Sequence, residues 1–355
     1  MFKKNKDFLF KAAILNKINS DLSISNIKFN QPLSKGQVLI KMYYSGICGS
    51  QIGEICGTKG KDKFLPHLLG HEGTGRVIAK HNTVKKINIG DNVILHWQKG
   101  EGYDADNPVY FSNNNKVNAG KVTTFNEFGI ISENRITKLP LGLSTKHGVI
   151  FGCALTTGFG AVKYDAKVKK NKSILVFGAG GVGMGIVQSL SLLNSKKIVI
   201  VDSNINKIKI IKKFNQKNFV LSKNLDQKKL KINILEKNHL NFYDYVFDTT
   251  GNKKLIELGL ELLSKKGKLT LLGVQNYKEK ISFNSLQIVM GKKIIGSCGG
   301  NINPSKDIKE LYNKIKKNKI NLNKFYGKIF NLNQINKAIK YMIKKKSYER
   351  ILIKF

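Results

Sequence analysis

The sequence predicts an α/β fold in which a doubly wound, parallel domain interrupts a β-rich lobe. Three observations predict it: a glycine turn set between two short apolar runs at 173–202, an alternation of strand and helix patterns that continues past that turn to about residue 300, and an all-β pattern over residues 10–150. The chain has 355 residues, more than one domain usually holds, so two domains are expected. The expected boundaries are 1–154 and 301–355 for a discontinuous β-rich lobe and 155–300 for the inserted domain.

In chain order, the lysine-bearing start reads as an N-terminal strand rather than a signal peptide, because Lys11 interrupts its apolar patch and no small-residue cleavage site follows. Alternating or β-branched runs at 37–43, 75–79 and 92–96, separated by glycine and asparagine turns, give the β-rich lobe. The apolar run 174–177 is short and β-branched, as a buried parallel strand should be, and a helix starting at Val182 and a second strand at 198–201 follow it. A second half repeats the plan, with a helix at 205–214, strand 245–247, helix 255–263, strand 268–272 and a last strand at about 293–295. Beyond Gly300 come a polar turn, helices at 307–316 and 334–345, and a closing strand at 350–355 that returns to the first lobe.

Gly178, Gly180 and Gly183 have G-x-G-x-x-G spacing, with Gly181 and Val182 between the last two as further cofactor-binding candidates. The first glycine suits a tight turn, the second lets backbone N–H groups approach a pyrophosphate, and the third lets helix and strand pack closely. The phosphate then sits on a helix N-terminus. Asp202 ends the second strand roughly twenty residues on, where a carboxylate accepts hydrogen bonds from an adenosine ribose and repels a ribose 2′-phosphate. This is a Rossmann dinucleotide-binding pattern that favours NAD over NADP; the bland alternative is a doubly wound domain with an empty switch point.

Composition narrows the class. With 41% hydrophobic and 24% charged residues the chain has the make-up of a soluble globular protein, and no stretch approaches the roughly 18 apolar residues of a membrane span. Four cysteines in a long chain form no disulfide framework, which suits a reducing cytoplasm. The net charge of +39 points by itself to an anionic partner. A nucleic-acid reader concentrates its charge on one face or tail, whereas these lysines run from Lys3 to Lys354 amid abundant Asn and Ile, as in A+T-rich coding sequence. No specific nucleic-acid partner and no membrane are therefore expected, while steering of an anionic substrate stays open.

The β-rich lobe carries Cys48 in GICGS (46–50), His71 and Glu72 in GHEG (70–73), and Cys153 in GCALTTGFG (152–160). Two thiolates and an imidazole are ligand types zinc takes, and a set of three leaves a fourth position open. Taken singly, each has an ordinary explanation as a small buried hydrophobe or a histidine satisfied in a turn. With the glycine turn, Asp202 and the ending ERILIKF, these motifs resemble the medium-chain, zinc-dependent alcohol and polyol dehydrogenases, from about Phe10 to Phe355. The resemblance implies a Rossmann domain plus a β-rich, GroES-like catalytic domain, one catalytic zinc per chain, and NAD. It implies that Cys48, His71 and Cys153 bind the zinc, that Glu72 is an alternative or second-sphere ligand, and that Ser50 takes the substrate's hydroxyl proton. Thr157, Lys207 and Arg350 fall at positions that help to hold the cofactor, Arg350 through its phosphates, and Trp97 at one that lines the substrate pocket.

Three departures stand out. Residues 97–120 hold no cysteine where many relatives carry a four-cysteine lobe, so no structural zinc is expected. Gln51 replaces an aspartate that braces the zinc-binding histidine, and Gly53 replaces a histidine that ends the proton relay in some relatives. His67, His81, His147, His239 and Cys56 show no metal partner in sequence, and Cys298 reads as a core thiol. The expected activity is NAD-dependent oxidation of an alcohol, or reduction of a carbonyl, on a small polar molecule, with a sugar, polyol or cyclitol ahead of an aliphatic alcohol or aldehyde. A homodimer or homotetramer is expected. The rival readings are a zinc-free reductase of the same superfamily and a catalytically silent dinucleotide- or nucleic-acid-binding protein.

Overall fold

The computed structural model describes residues 8–29, 32–195, 197–214, 216–237, 239, 241–344 and 349–355. The chain divides into two compact units: Met1–Cys153 with Asn303–Asn313 and Tyr326–Phe355, and Ala154–Ile302 with Lys314–Phe325. The expected N-terminal strand is Phe8–Leu15; the residues before it, and Lys345 at the end of the expected last helix, lie outside the described residues.

In the first unit, strand Gln37–Gly46 is the spine. Its alternate side chains feed two cores, as period-two geometry requires: Val38, Ile40 and Met42 join Val77, Val93 and Ile131, while Leu39 joins Phe10, Ile27 and Tyr110. The sheet around it runs Ile136–Lys138, Asn92–Leu95, Gly73–Lys80, Gln37–Gly46, Arg350–Lys354, Tyr326–Asn331, with Phe128–Ser132 also paired to the spine. A separate closed barrel takes Phe8–Leu15, Ser23–Phe29, Val109–Ser112, Asn115–Asn118 and His67–Leu68. Register matters most for function. Ser45 lies opposite Gly73, Gly73 opposite Leu95, and Gly46 opposite Leu352, so the ends of three strands meet the middle of the closing strand at one place.

The second unit holds a six-stranded, all-parallel sheet in the order Phe219–Leu221, Ile198–Asp202, Ile174–Phe177, Tyr243–Asp248, Leu263–Leu271, Lys293–Gly296. Strand order reverses beside Ile174–Phe177, which puts the switch point of a doubly wound sheet at the glycine turn. Leu175, Phe177, Val199, Val201 and Val246 are fully buried in its core.

Several elements depart from expectation for readable reasons. The turn's helix begins at Gly181, one residue before Val182. Strand Leu263–Leu271 starts five residues early, because the exposed Lys265 and Lys266 and then Gly267 imitate a turn while the backbone pairs onward through a register shift. Helix Gln227–Glu236 was not expected; only Leu230 and Ile234 are buried on it, an apolar stripe too thin to read, and Asp226 caps it by accepting from the Lys229 N–H. Lys314–Phe325, expected with the β-rich lobe, belongs to the second unit, where Phe325 packs on Phe214 with ring centroids 4.6 Å apart. No helix among the described residues is long and apolar enough to cross a membrane.

Candidate metal centre and dinucleotide turn

Cys48 caps helix Gly49–Ile55 just after the spine strand ends, and Glu72 precedes strand Gly73–Lys80. The two segments are tied by the Gly46 N–H donating to the Glu72 carbonyl and the Ile47 N–H to the Ile351 carbonyl. Cys153 follows a 3₁₀ turn at Val149–Gly152. Glycines make the close approach possible: a Cβ on Gly46 would overlap the Glu72 carboxylate, and one on Gly152 would overlap the Leu95 carbonyl oxygen.

The ligand atoms of Cys48, His71 and Cys153 all lie within 4.8 Å of one another, and the two Sγ atoms are 3.9 Å apart. That separation is far beyond a disulfide and close to the edge, roughly 3.8 Å, of a tetrahedron with zinc–sulfur bonds of about 2.3 Å. His71 Nε2 is buried with no hydrogen-bond partner, a condition a buried donor atom rarely tolerates unless something else claims it. The donor set thus fits zinc, and among the described residues it is the single such cluster.

Electrostatics agree. The hydrogen bond from Cys153 holds the Cys48 thiol well below its usual range, helped by the Arg350 charge, whereas the same bond and burial push Cys153 well above. Glu72 is fully buried and Arg350 nearly so, and Arg350 Nη2 donates to Glu72 Oε1. Burial pushes the Glu72 carboxyl up against the pull of Arg350; burial also opposes the charge on Arg350, but Glu72 outweighs it and keeps the guanidinium protonated. Glu72 is therefore committed to Arg350 through one oxygen, with Oε2 unpartnered. Arg350, expected at the cofactor phosphates, sits here on Glu72 beside the cysteine and histidine cluster. This pairing spans 278 positions and has no local signal in sequence.

Around the cluster, the Trp97 ring meets His71 edge-on at 6.5 Å. Ser50 is half-buried in the first turn of helix Gly49–Ile55. Gln51 is fully buried, but its Oε1 accepts from the Cys48 N–H at 2.9 Å and its Nε2 has no partner; the amide braces the cysteine's backbone and not the imidazole. His67 is engaged by Asp62 at 2.8 Å and His81 by Thr83 at 2.9 Å. Cys298, expected in the core, is exposed because it follows the sheet's edge strand Lys293–Gly296.

The second unit builds its site from backbone. Gly178 has φ +94°, where a side chain is strained, a Cβ on Gly183 would overlap the Gly178 carbonyl oxygen, and a Cβ on Gly180 would meet nothing within 4 Å. The space over Gly180 is what a pyrophosphate needs at a helix N-terminus. Asp202 Oδ2 accepts from the Ala179 N–H and Oδ1 from the Asn204 N–H, both at 2.8 Å, which fixes the carboxylate at the strand end with lone pairs to spare for ribose hydroxyls. Thr157 is buried on helix Ala154–Gly160, which lies tight against the turn's helix where Gly158 meets the backbone of Gly185. Lys207 opens helix Lys207–Lys213, half-buried. The residues present fit a dinucleotide.

Comparison with known proteins places the fold in a family. Residues 34–141 match the family model of the alcohol dehydrogenase GroES-like domain, and residues 181–317 that of the zinc-binding dehydrogenase. An S-(hydroxymethyl)glutathione dehydrogenase of Synechocystis sp. is 26% identical, over 96% of this chain and 99% of its own length. Among solved structures, an alcohol dehydrogenase zinc-binding domain protein from Burkholderia ambifaria superposes with a TM-score of 0.88 at 21% identity, covering 99% of this chain and 100% of that one. Benzyl alcohol dehydrogenase from Acinetobacter calcoaceticus gives 0.86 at 22%, with the same coverage. With both halves of the fold matched and the donor sets for zinc and NAD in place, the chain is a member of the medium-chain, zinc-dependent alcohol dehydrogenase superfamily.

Proposed function

We propose that the protein oxidises a hydroxyl group of a small polar molecule with NAD, or reduces the matching carbonyl, using one catalytic zinc held by Cys48, His71 and Cys153. The observation that supports this reading best is the three-donor cluster itself, since three protein ligands leave a zinc position open to substrate. When bound, zinc would supply Lewis acidity that makes an alcohol proton easier to lose, and NAD would supply the hydride acceptor. The chain's own residues do the rest. Cys48 and Cys153 bring negative charge that balances a divalent ion, Trp97 walls the His71 side, and Glu72 with Arg350 keeps a charged pair dry behind the ligands. The Ser50 hydroxyl takes the alcohol proton and donates its own onward. No histidine stands at Gly53 to continue that path, so water or cofactor hydroxyls complete it.

Within that reaction a sugar, polyol or cyclitol is the favoured substrate, on the GICGS type of motif. An aliphatic alcohol or aldehyde is the second reading, on the match to the alcohol dehydrogenase domain model. The test is an NAD-reduction screen of alcohols and polyols on protein of measured metal content. One tightly bound zinc per chain and turnover of at least one alcohol are expected. Two tightly held zincs refute the single-site reading, and a zinc-replete protein that turns over none refutes the enzyme.

A further inference from the structure

The first unit contains a cavity of about 500 Å³ that reaches from His71 to the loop carrying Lys61 and Lys63. That volume lies within the roughly 300–1,000 Å³ of pockets that enclose drug-sized ligands, well beyond the needs of a two- or three-carbon alcohol. Its floor includes the buried Leu68 and Leu69, and it is wide where Ala119 and Gly120 contribute almost no side chain.

Its two ends differ. The inner end holds His71, one of the three metal donors. The outer end is cationic for a specific reason: the acids that line the cavity are already engaged, Glu54 by Lys59 at 2.8 Å and Asp62 by His67 at 2.8 Å and by the Phe64 N–H at 2.9 Å. Lys61 and Lys63 line the same cavity, are exposed, and have no carboxylate within ion-pair distance among the described residues. A general lysine excess explains cations on open faces. It does not explain two uncompensated ones sharing a cavity with a metal donor, His71.

We infer that the alcohol taken by this site carries an anionic group, a phosphate monoester or a carboxylate, at the end remote from the reacting hydroxyl, and that Lys61 and Lys63 hold it. This rests on the dehydrogenase reading above and narrows its substrate class. Attraction at a solvent-lined rim is screened by salt and acts on capture of substrate, which places its effect in KM and association rate.

The test compares matched alcohols under NAD on zinc-replete protein: sorbitol, sorbitol 6-phosphate and gluconate in one series, 1-butanol, 4-hydroxybutyrate and 4-hydroxybutyl phosphate in the other. At low salt an anionic member of a series should exceed its neutral partner about tenfold or more in kcat/KM, with phosphate or carboxylate as the better of the two identifying the group. Raising ionic strength past about 0.15 M should shrink that advantage several-fold. The Lys61→Gln, Lys63→Gln double variant should lose it through KM, with zinc content as the check that the first unit has folded. Neutral members equal or better in both series overturn the inference and leave the dehydrogenase standing. An advantage that ignores salt or survives the double substitution also overturns it. Zinc-replete protein that oxidises neither series, nor any alcohol of the wider screen, overturns the dehydrogenase reading and this inference with it.

Discussion

Cys48 and Cys153 stand 105 residues apart in sequence and 3.9 Å apart in space, whereas the glycine turn and Asp202 occupy one unbroken run of strand, turn, helix and strand. The metal centre is made of side chains delivered by the register of a mostly antiparallel sheet. The dinucleotide site is made of backbone, and its glycines matter for the atoms they lack. The two should therefore fail differently: a substitution at the first removes a donor from a standing scaffold, and one at the second puts atoms where the main chain already is.

The largest expected effect isolates the first kind of failure. Cys153→Ser replaces a thiolate by a poor zinc donor in a pocket that closely matches its shape. It should strip the metal and abolish turnover while NAD binding, which resides in the other unit, persists. Elemental analysis beside a fluorescence titration with NADH checks both halves, and joint loss of zinc and NAD binding would show that the two sites are not separable.

Ser50→Ala tests the same scaffold one step further out. A hydroxyl can accept one proton and donate another in a concerted step, and a methyl group can do neither. Turnover should fall on the order of 10²-fold, the low end for a general acid–base group, with zinc content and NAD affinity nearly intact. Unchanged turnover would mean that the proton leaves by another route.

Gly183→Ala turns the comparison round. Its Cβ would overlap the Gly178 carbonyl oxygen, and relieving that contact shifts the backbone at a cost of about 1–3 kcal/mol. NAD affinity should drop about tenfold with zinc content unchanged, which calorimetric titration and metal analysis can separate.

The same contrast explains what was legible in the sequence. Strand 174–177, the glycine spacing and Asp202 could be read because every constraint there is local: the turn needs Gly178, the packing needs Gly183, and both lie within one short window. Cys48, His71 and Cys153 were recognisable by ligand type and by resemblance, but their meeting depends on Ser45 lying opposite Gly73 and Gly73 opposite Leu95. No local pattern encodes that register. The Glu72–Arg350 pair, the turning of Gln51 onto Cys48, and the space that Gly46 leaves for Glu72 were invisible for the same reason. Thin amphipathic stripes account for the missed helix Gln227–Glu236.

The smallest effect concerns Asp202, a side chain that braces the glycine turn. In the structure the Asp202 carboxylate accepts from the Ala179 and Asn204 N–H groups, and at the end of a second Rossmann strand such a charge is expected to repel a ribose 2′-phosphate. The protein should therefore prefer NAD to NADP. Asp202→Gly removes both roles, so NAD binding should weaken as the turn loses its brace while the repulsion of NADP disappears, and the preference should narrow. Asp202→Asn separates them, because the amide keeps one acceptor oxygen for the backbone but carries no charge. If charge sets the preference, the ratio of kcat/KM for the two cofactors should move several-fold toward NADP in Asp202→Asn and at least as far in Asp202→Gly. If bracing sets it, Asp202→Asn should stay near the parent. Equal turnover with both cofactors in the unaltered protein would remove Asp202 from specificity altogether and leave it as a purely structural clasp on the glycine turn.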